Sequence, residues 1–152
     1  MNDTTEAGAP PASFSHASML DILARADAEE IKAVAEDLLD ELGPVEVFVN
    51  RTGLAMLPYT DTVQNIAFHL GEVLMSEAHI RLPDYGVEGY GAIIGRDLEH
   101  AMAMAVIDAS FTAEIGKAGI EIFLTSAQHR QTEDDDIKLR KVEATRVRME
   151  TF

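Results

Sequence analysis

Val45-Glu46-Val47-Phe48-Val49-Asn50-Arg51-Thr52-Gly53 is the stretch where the chain changes period. Before it, Ile31, Val34, Ala35, Leu38, Leu39 and Leu42 recur at helical spacing, and Gly43-Pro44 stops the run. Asp27 stands as the N-cap of that helix, with Glu30 three residues on as its capping-box partner. From Val45 the residues alternate and are rich in β-formers, which predicts a strand over 45–49 that ends at Asn50-Arg51-Thr52-Gly53. Residues 54–57 read as its hairpin partner, broken by Pro58. Two more strands are expected over 66–70 and 73–82, with Gly71 as a bulge or tight turn between them. Pro83-Asp84-Tyr85-Gly86 is a turn, and 90–94 a further strand closing at Gly95.

Helices bracket this block of strands. A short one is expected over 16–25. A long one is capped by Asp97 and runs to about Ile115, with Met102, Ala105, Val106, Ala109 and Ala113 as its buried stripe. Gly116 and Gly119 end it, and 120–124 fits a strand or a helical turn equally. The acidic run Glu133-Asp134-Asp135-Asp136 suits the start of the last helix, where negative charge complements the dipole. Residues 146–149 are expected to run out extended. The class is therefore α+β: a single domain over 16–152, with a largely antiparallel sheet flanked by N-terminal, central and C-terminal helices. Residues 1–15, rich in Ala, Pro, Gly, Ser and Thr, are expected to form a flexible tail.

Composition narrows the function classes. Of 152 residues, 12 are basic and 27 acidic, a net charge of −15 that argues against binding nucleic acid through its phosphates. The acid is concentrated in residues 1–50, and bases predominate in 137–152, a separation that suits a partner surface or solvated helix faces. With no cysteine, disulfides and thiolate metal sites are excluded. No apolar run reaches the roughly 20 residues of a membrane span, and residues 1–15 lack the basic and apolar segments of a secretory leader. A cytoplasmic protein without a membrane partner is expected.

The five histidines are scattered, with no HExxH, and the acidic run lacks the spacing of a calcium loop, so no metal is expected. No GxSxG, GxxxxGK[ST] or GxGxxG occurs, and Gly86-Val87-Glu88-Gly89-Tyr90-Gly91 reads as a turn. The best local candidate is Gly95-Arg96-Asp97 with His100. Backbone N–H groups at a helix start beside one Arg suit an anion, although Asp97 would use the same N–H groups and repel a phosphate.

Gly91-Ala92-Ile93-Ile94-Gly95-Arg96-Asp97-Leu98-Glu99-His100-Ala101, followed by Ile107-Asp108-Ala109, resembles the G subunit family (PhnG) of the bacterial carbon–phosphorus lyase system. Phe68-His69-Leu70-Gly71-Glu72 leading to Ile80-Arg81-Leu82 resembles its sheet segment, and Ala144-Thr145-Arg146-Val147 its C-terminal signature. The resemblance implies a role in organic phosphonate use, as a subunit that works with H, I and L proteins. Together these attach a phosphonate to the ribose of ATP and displace adenine, giving a ribose 1-phosphonate 5-triphosphate. The displacement is attributed to the I subunit, so no cofactor and no catalytic residue are implied for this chain. The family's Thr-Arg pair is replaced here by Ser76-Glu77, a Lys by Leu98, and a Gly-rich stretch by Tyr59-Thr60-Asp61-Thr62-Val63-Gln64, which weakens direct binding of ATP or phosphonate.

Arg51, Arg81, Arg96, His100 and Arg146 are the expected ligand or partner contacts, with Arg96 and His100 facing a partner or an anion. Asp108 and Arg146 could equally form an internal or interface ion pair. The rival expectation is a free-standing homodimeric binding protein using the sheet edge or the long helix, where Met102 and Met104 would make an adaptable surface. A self-sufficient enzyme would need ATP turnover by the isolated chain, which no motif predicts.

Overall fold

Local sequence places most helix boundaries in the computed structural model, which describes residues 13–146. The helix α1 spans His16–Ala24, and its first turn is capped by Ser15, whose hydroxyl accepts the Ser18 N–H. In α2, Ala28–Leu42, Asp27 accepts the N–H groups of Glu29 and Glu30. The reciprocal half of the expected capping box does not form, because the Glu30 carboxylate pairs with Arg130 instead. Of the residues read as a tail, Phe14 packs on the core and Ser15 serves as the cap. Residues 1–12 and 147–152 lie outside the described residues, including most of the stretch expected to run out extended.

Three strands follow: β1 Glu46–Thr60, β2 Ala67–Leu82 and β3 Val87–Ile94, in one antiparallel sheet of order β1-β2-β3. The first two each run through what the sequence predicts as two separate strands. Asn50 to Gly53 are not a turn; they pair with Ala78 to Met75 and continue the strand. An edge strand tolerates a Gly and a Pro because one side of its ladder is free, and Pro58 sits at a register shift. Gly71 lies at the same shift, where Leu57 pairs with Gly71 and Pro58 with His69, so the bulge is present but no turn divides β2. The actual hairpin turn is 61–66. There Asp61 accepts the N–H groups of Val63 and Gln64, and Asn65 adopts φ +56°.

α3, Leu98–Thr112, is the central element. Burial extends beyond one stripe to Ala101 and every residue from Ala103 to Ser110. A helix apolar on all sides belongs inside, and α3 packs against the sheet as well as α2 and α1. Gly89 and Gly91, read as part of a turn, lie within β3 and make this packing possible. A Cβ on Gly89 would collide with the carbonyl of Ala105, and one on Gly91 with that of Ala101. Met104 is core, not surface, at 1% exposed. Ile80, Leu82, Ile107, Leu23, Ile31 and Leu42 complete the fully buried centre.

Gly116, at φ +60°, separates α3 from α4, Lys117–Ala144. Gly119 lies inside α4 and ends nothing, and 120–124 is helical. The acidic run does not begin this helix but falls in its middle. There Asp135 meets Arg25 at 2.8 Å, a tie to α1 that the dipole argument did not anticipate. Only Ile120, Leu124 and Ala127 of α4 are buried.

Candidate functional site

The corner between β3 and α3 is built from both strands beneath it. Gly95 turns the chain at φ +113°. Its N–H donates to the Leu74 carbonyl at 2.8 Å, and its own carbonyl accepts the hydroxyl of the fully buried Ser76 at 2.8 Å. With the Ser76 proton committed there, Thr52 Oγ1, 3.1 Å away, is left to donate to Ser76 Oγ. Asp97 caps α3 by accepting the His100 N–H at 2.9 Å. That bond, and the Lys32 ammonium at 3.4 Å, hold its carboxyl below the usual range against a partial desolvation. Lys32 is also desolvated, yet Glu99 and Asp97 outweigh this and raise its pKa.

The two basic candidates part company at this corner. Arg96 is exposed and makes no ion pair among the described residues. His100 is 5% exposed, and its Nε2–H donates to the Leu23 carbonyl at 2.9 Å. Its ring thus satisfies a carbonyl at the end of α1 inside the protein, and it does not join Arg96 at the surface.

Arg51 and Arg81 share the sheet face turned away from the helices. Arg51 Nε donates to Glu77 Oε1 at 2.6 Å, and Tyr90 Oη donates to Glu77 Oε2 at 3.2 Å. The Arg51 hydrogen bond holds the Glu77 carboxyl below its ordinary range, while burial and then the Glu77 charge push the Tyr90 phenol up. Glu77 therefore neutralises Arg51. Arg81 stands in register between Glu46 and Glu88 and is exposed. Beside it, His79 bonds Glu88 at 2.9 Å and meets Phe48 edge-on at 5.3 Å. Arg146, just past the end of α4, pairs with Glu143 of its last turn at 3.3 Å.

Asp108 found a partner that sequence reasoning missed. Its carboxylate is 3% exposed, accepts the His16 Nε2–H at 2.8 Å, and accepts the Tyr90 backbone N–H at 2.9 Å. One acid thereby ties α3 to the start of α1 and to β3. The expected pairing of Asp108 with Arg146 does not form, and nothing in the sequence marks a histidine 92 positions away. These groups border a cavity of about 810 Å³ that also meets His79, Glu88, Phe111 and Lys117. An imidazole held by a buried carboxylate can accept a proton, but both Asp108 oxygens are engaged in joining elements of the fold. Among the described residues, no three His, Asp or Glu side chains gather as a metal-ligand set. No helix of the described residues is long and apolar enough to cross a membrane.

The least satisfied surface is apolar. Beyond Ser76 the β1–β2 hairpin leaves the helices: Val73 to Met75 are half-buried, and from Glu72 outward β2 is exposed on both faces. Leu54, Met56, Leu57, Tyr59, Ile66, Phe68 and Leu70 are each more than two-fifths exposed.

Comparison with known proteins gives the family. A family model described as phosphonate metabolism protein PhnG matches residues 15–152. Among curated proteins, the alpha-D-ribose 1-methylphosphonate 5-triphosphate synthase subunit PhnG of Rhizobium meliloti (strain 1021) is 33% identical over 129 residues, covering 83% of this chain and 80% of its own. The chain belongs to the PhnG family of phosphonate metabolism proteins.

Proposed function

We propose that the chain is an auxiliary subunit of a synthase that transfers a phosphonate to the ribose of ATP with release of adenine. The product is a ribose 1-phosphonate 5-triphosphate, and the H, I and L proteins of the same system are the partners. The observation that carries this reading is the bare apolar hairpin on a chain whose relative is named as a synthase subunit. Large exposed apolar patches on a folded chain mark contact surfaces. The internal commitments of His100, Asp108 and Arg51 favour an auxiliary role over chemistry at any of them. Arg81 and Arg96, exposed and without ion pairs among the described residues, remain the basic contacts available to a partner or an anionic ligand.

Reconstitution tests the reading. The chain is combined with the H, I and L proteins of its own organism, and adenine release from ATP plus methylphosphonate is followed. Release that stops when this chain is omitted supports a subunit role. Full release without it contradicts that role. A homodimer that binds none of the three would favour a free-standing interaction protein.

A further inference from the structure

The hairpin face that lies under α3 does not end where α3 ends. Ser76, Ala78, Ile80 and Leu82 of β2 alternate inward and are buried. Leu74 and Glu72 continue the same face outward, and across the ladder stand Thr52, Leu54 and Met56, paired with Ser76, Leu74 and Glu72. Leu54 is 66% and Met56 60% exposed. A sheet face of this composition is ordinarily covered by a second layer, and among the described residues nothing covers it. The arm is nonetheless ordered: Asp61 closes its tip through two backbone hydrogen bonds, and Asp61 N–H donates to the Ile66 carbonyl. Nine residues of β1 reach about 30 Å.

At its root this face adjoins a depression of about 310 Å³ between α2 and α3, where Asn50 meets Leu39, Val45, Leu98 and Met102. Leu98 adds apolar surface to that depression. Charge identifies what fits there. Residues 52–71 hold one charged side chain, Asp61, so nearly all of the net −15 sits on the rest of the chain. Glu36, Glu99 and Lys32 line the depression itself, and Lys32 is already held by Glu99 and Asp97, so acid still outweighs base there. Two copies joined through their arms would bring two acidic bodies together, and like charges across an interface are unfavourable.

We infer that the helix-side face of the arm, centred on Leu54 and Met56, docks into an apolar groove of a different subunit whose borders carry Lys or Arg. This rests on the subunit reading above and names the surface through which it acts. The partner supplies the missing layer over the arm, and its basic borders meet the acidic side of α2. A preformed arm forfeits little ordering entropy on docking.

The test is binding of the other synthase subunits to the full chain. The wild type is compared with Leu54→Asp/Met56→Asp and with Ile122→Asp, which alters an equally exposed apolar residue on α4. The expected result is at least a tenfold loss of affinity for the double variant and none for Ile122→Asp, with binding of the wild type weakening as salt rises. A second measurement covers any failure of the double variant to fold. Because the chain has no cysteine, Leu54→Cys introduces a single thiol, which should react with a maleimide in the free chain and be protected in the complex. Wild-type binding with unimpaired binding of the double variant and an unprotected thiol would overturn the arm proposal and leave the subunit reading intact. No binding by the wild type would remove both. A wild-type homodimer that the double variant dissociates would make a second copy the occupant and overturn the proposal.

Discussion

The two ends of the β1–β2 hairpin are made of similar residues and meet opposite fates. At the proximal end, Ala78, Ile80 and Leu82 are completely buried beneath α3. At the distal end, Leu54, Met56, Phe68 and Leu70 remain exposed. Both ends share one continuous ladder. The difference lies in the layer above: β3 ends at Ile94, opposite Met75, and α3 starts at Leu98, so neither extends over the distal end. Hydrogen bonding thus shapes the arm, whereas burial anchors only its root. An apolar strand pair is evidence of a core only where a second layer exists within the chain.

The largest effect should separate these two ends directly. Ile80→Ala is expected to destabilise the chain by about 2–5 kcal/mol, whereas Leu54→Ala should stay within about 0.5 kcal/mol. Urea unfolding of both measures this, and equal costs would break the comparison. Gly91→Ala should cost about 1–3 kcal/mol, because its new Cβ would meet the Ala101 carbonyl and Met104. Gly71→Ala, with open space around its position, should be close to neutral by thermal unfolding.

How far the sequence disclosed this follows the same division. Helix α2 was legible because caps and period agree there: Asp27 at its start, Gly43 after its end. The antiparallel sheet was legible as a class, and an irregularity at Gly71 was legible in place, with bulge and turn both open. The continuous strands were not, because Asn50 and Gly53 carry turn chemistry that cross-strand pairing overrides. The start of α4 was misplaced because the acidic run resembles a helix start, while the glycine that sets the boundary, Gly116, resembles an end. Of the residues expected at the site, Arg51, Arg81 and Arg96 lie on the surface and His100 does not. Only the fold shows that a buried carbonyl of α1 claims the His100 ring.

Smaller effects sharpen the account at the corner that ends the covered region. Asp97→Ala should cost about 1 kcal/mol through loss of the α3 cap. The Asp97 carboxyl is depressed in the folded state, so its contribution is complete above the unfolded pKa of about 3.9 and is lost as pH falls through the lower folded value. Wild type should therefore lose stability relative to Asp97→Asn below about pH 4; parallel acid-unfolding curves would contradict this. On the open face, Glu77→Gln removes a negative charge beside Tyr90 and should lower the pH at which its phenol ionises, as read by phenolate absorbance. Its effect on stability should be under about 1 kcal/mol, as for a mostly solvated pair.

Amide hydrogen exchange, measured on the free chain and then on the reconstituted complex, tests most directly the claim that one hairpin is core at one end and contact surface at the other. In the free chain, the arm's amides around Leu54 to Leu57 and Phe68 to Leu70 should exchange far faster than those from Ser76 to Leu82. On assembly the arm should slow at least tenfold while the root is unchanged. Arm amides that exchange equally fast in the complex would contradict the account.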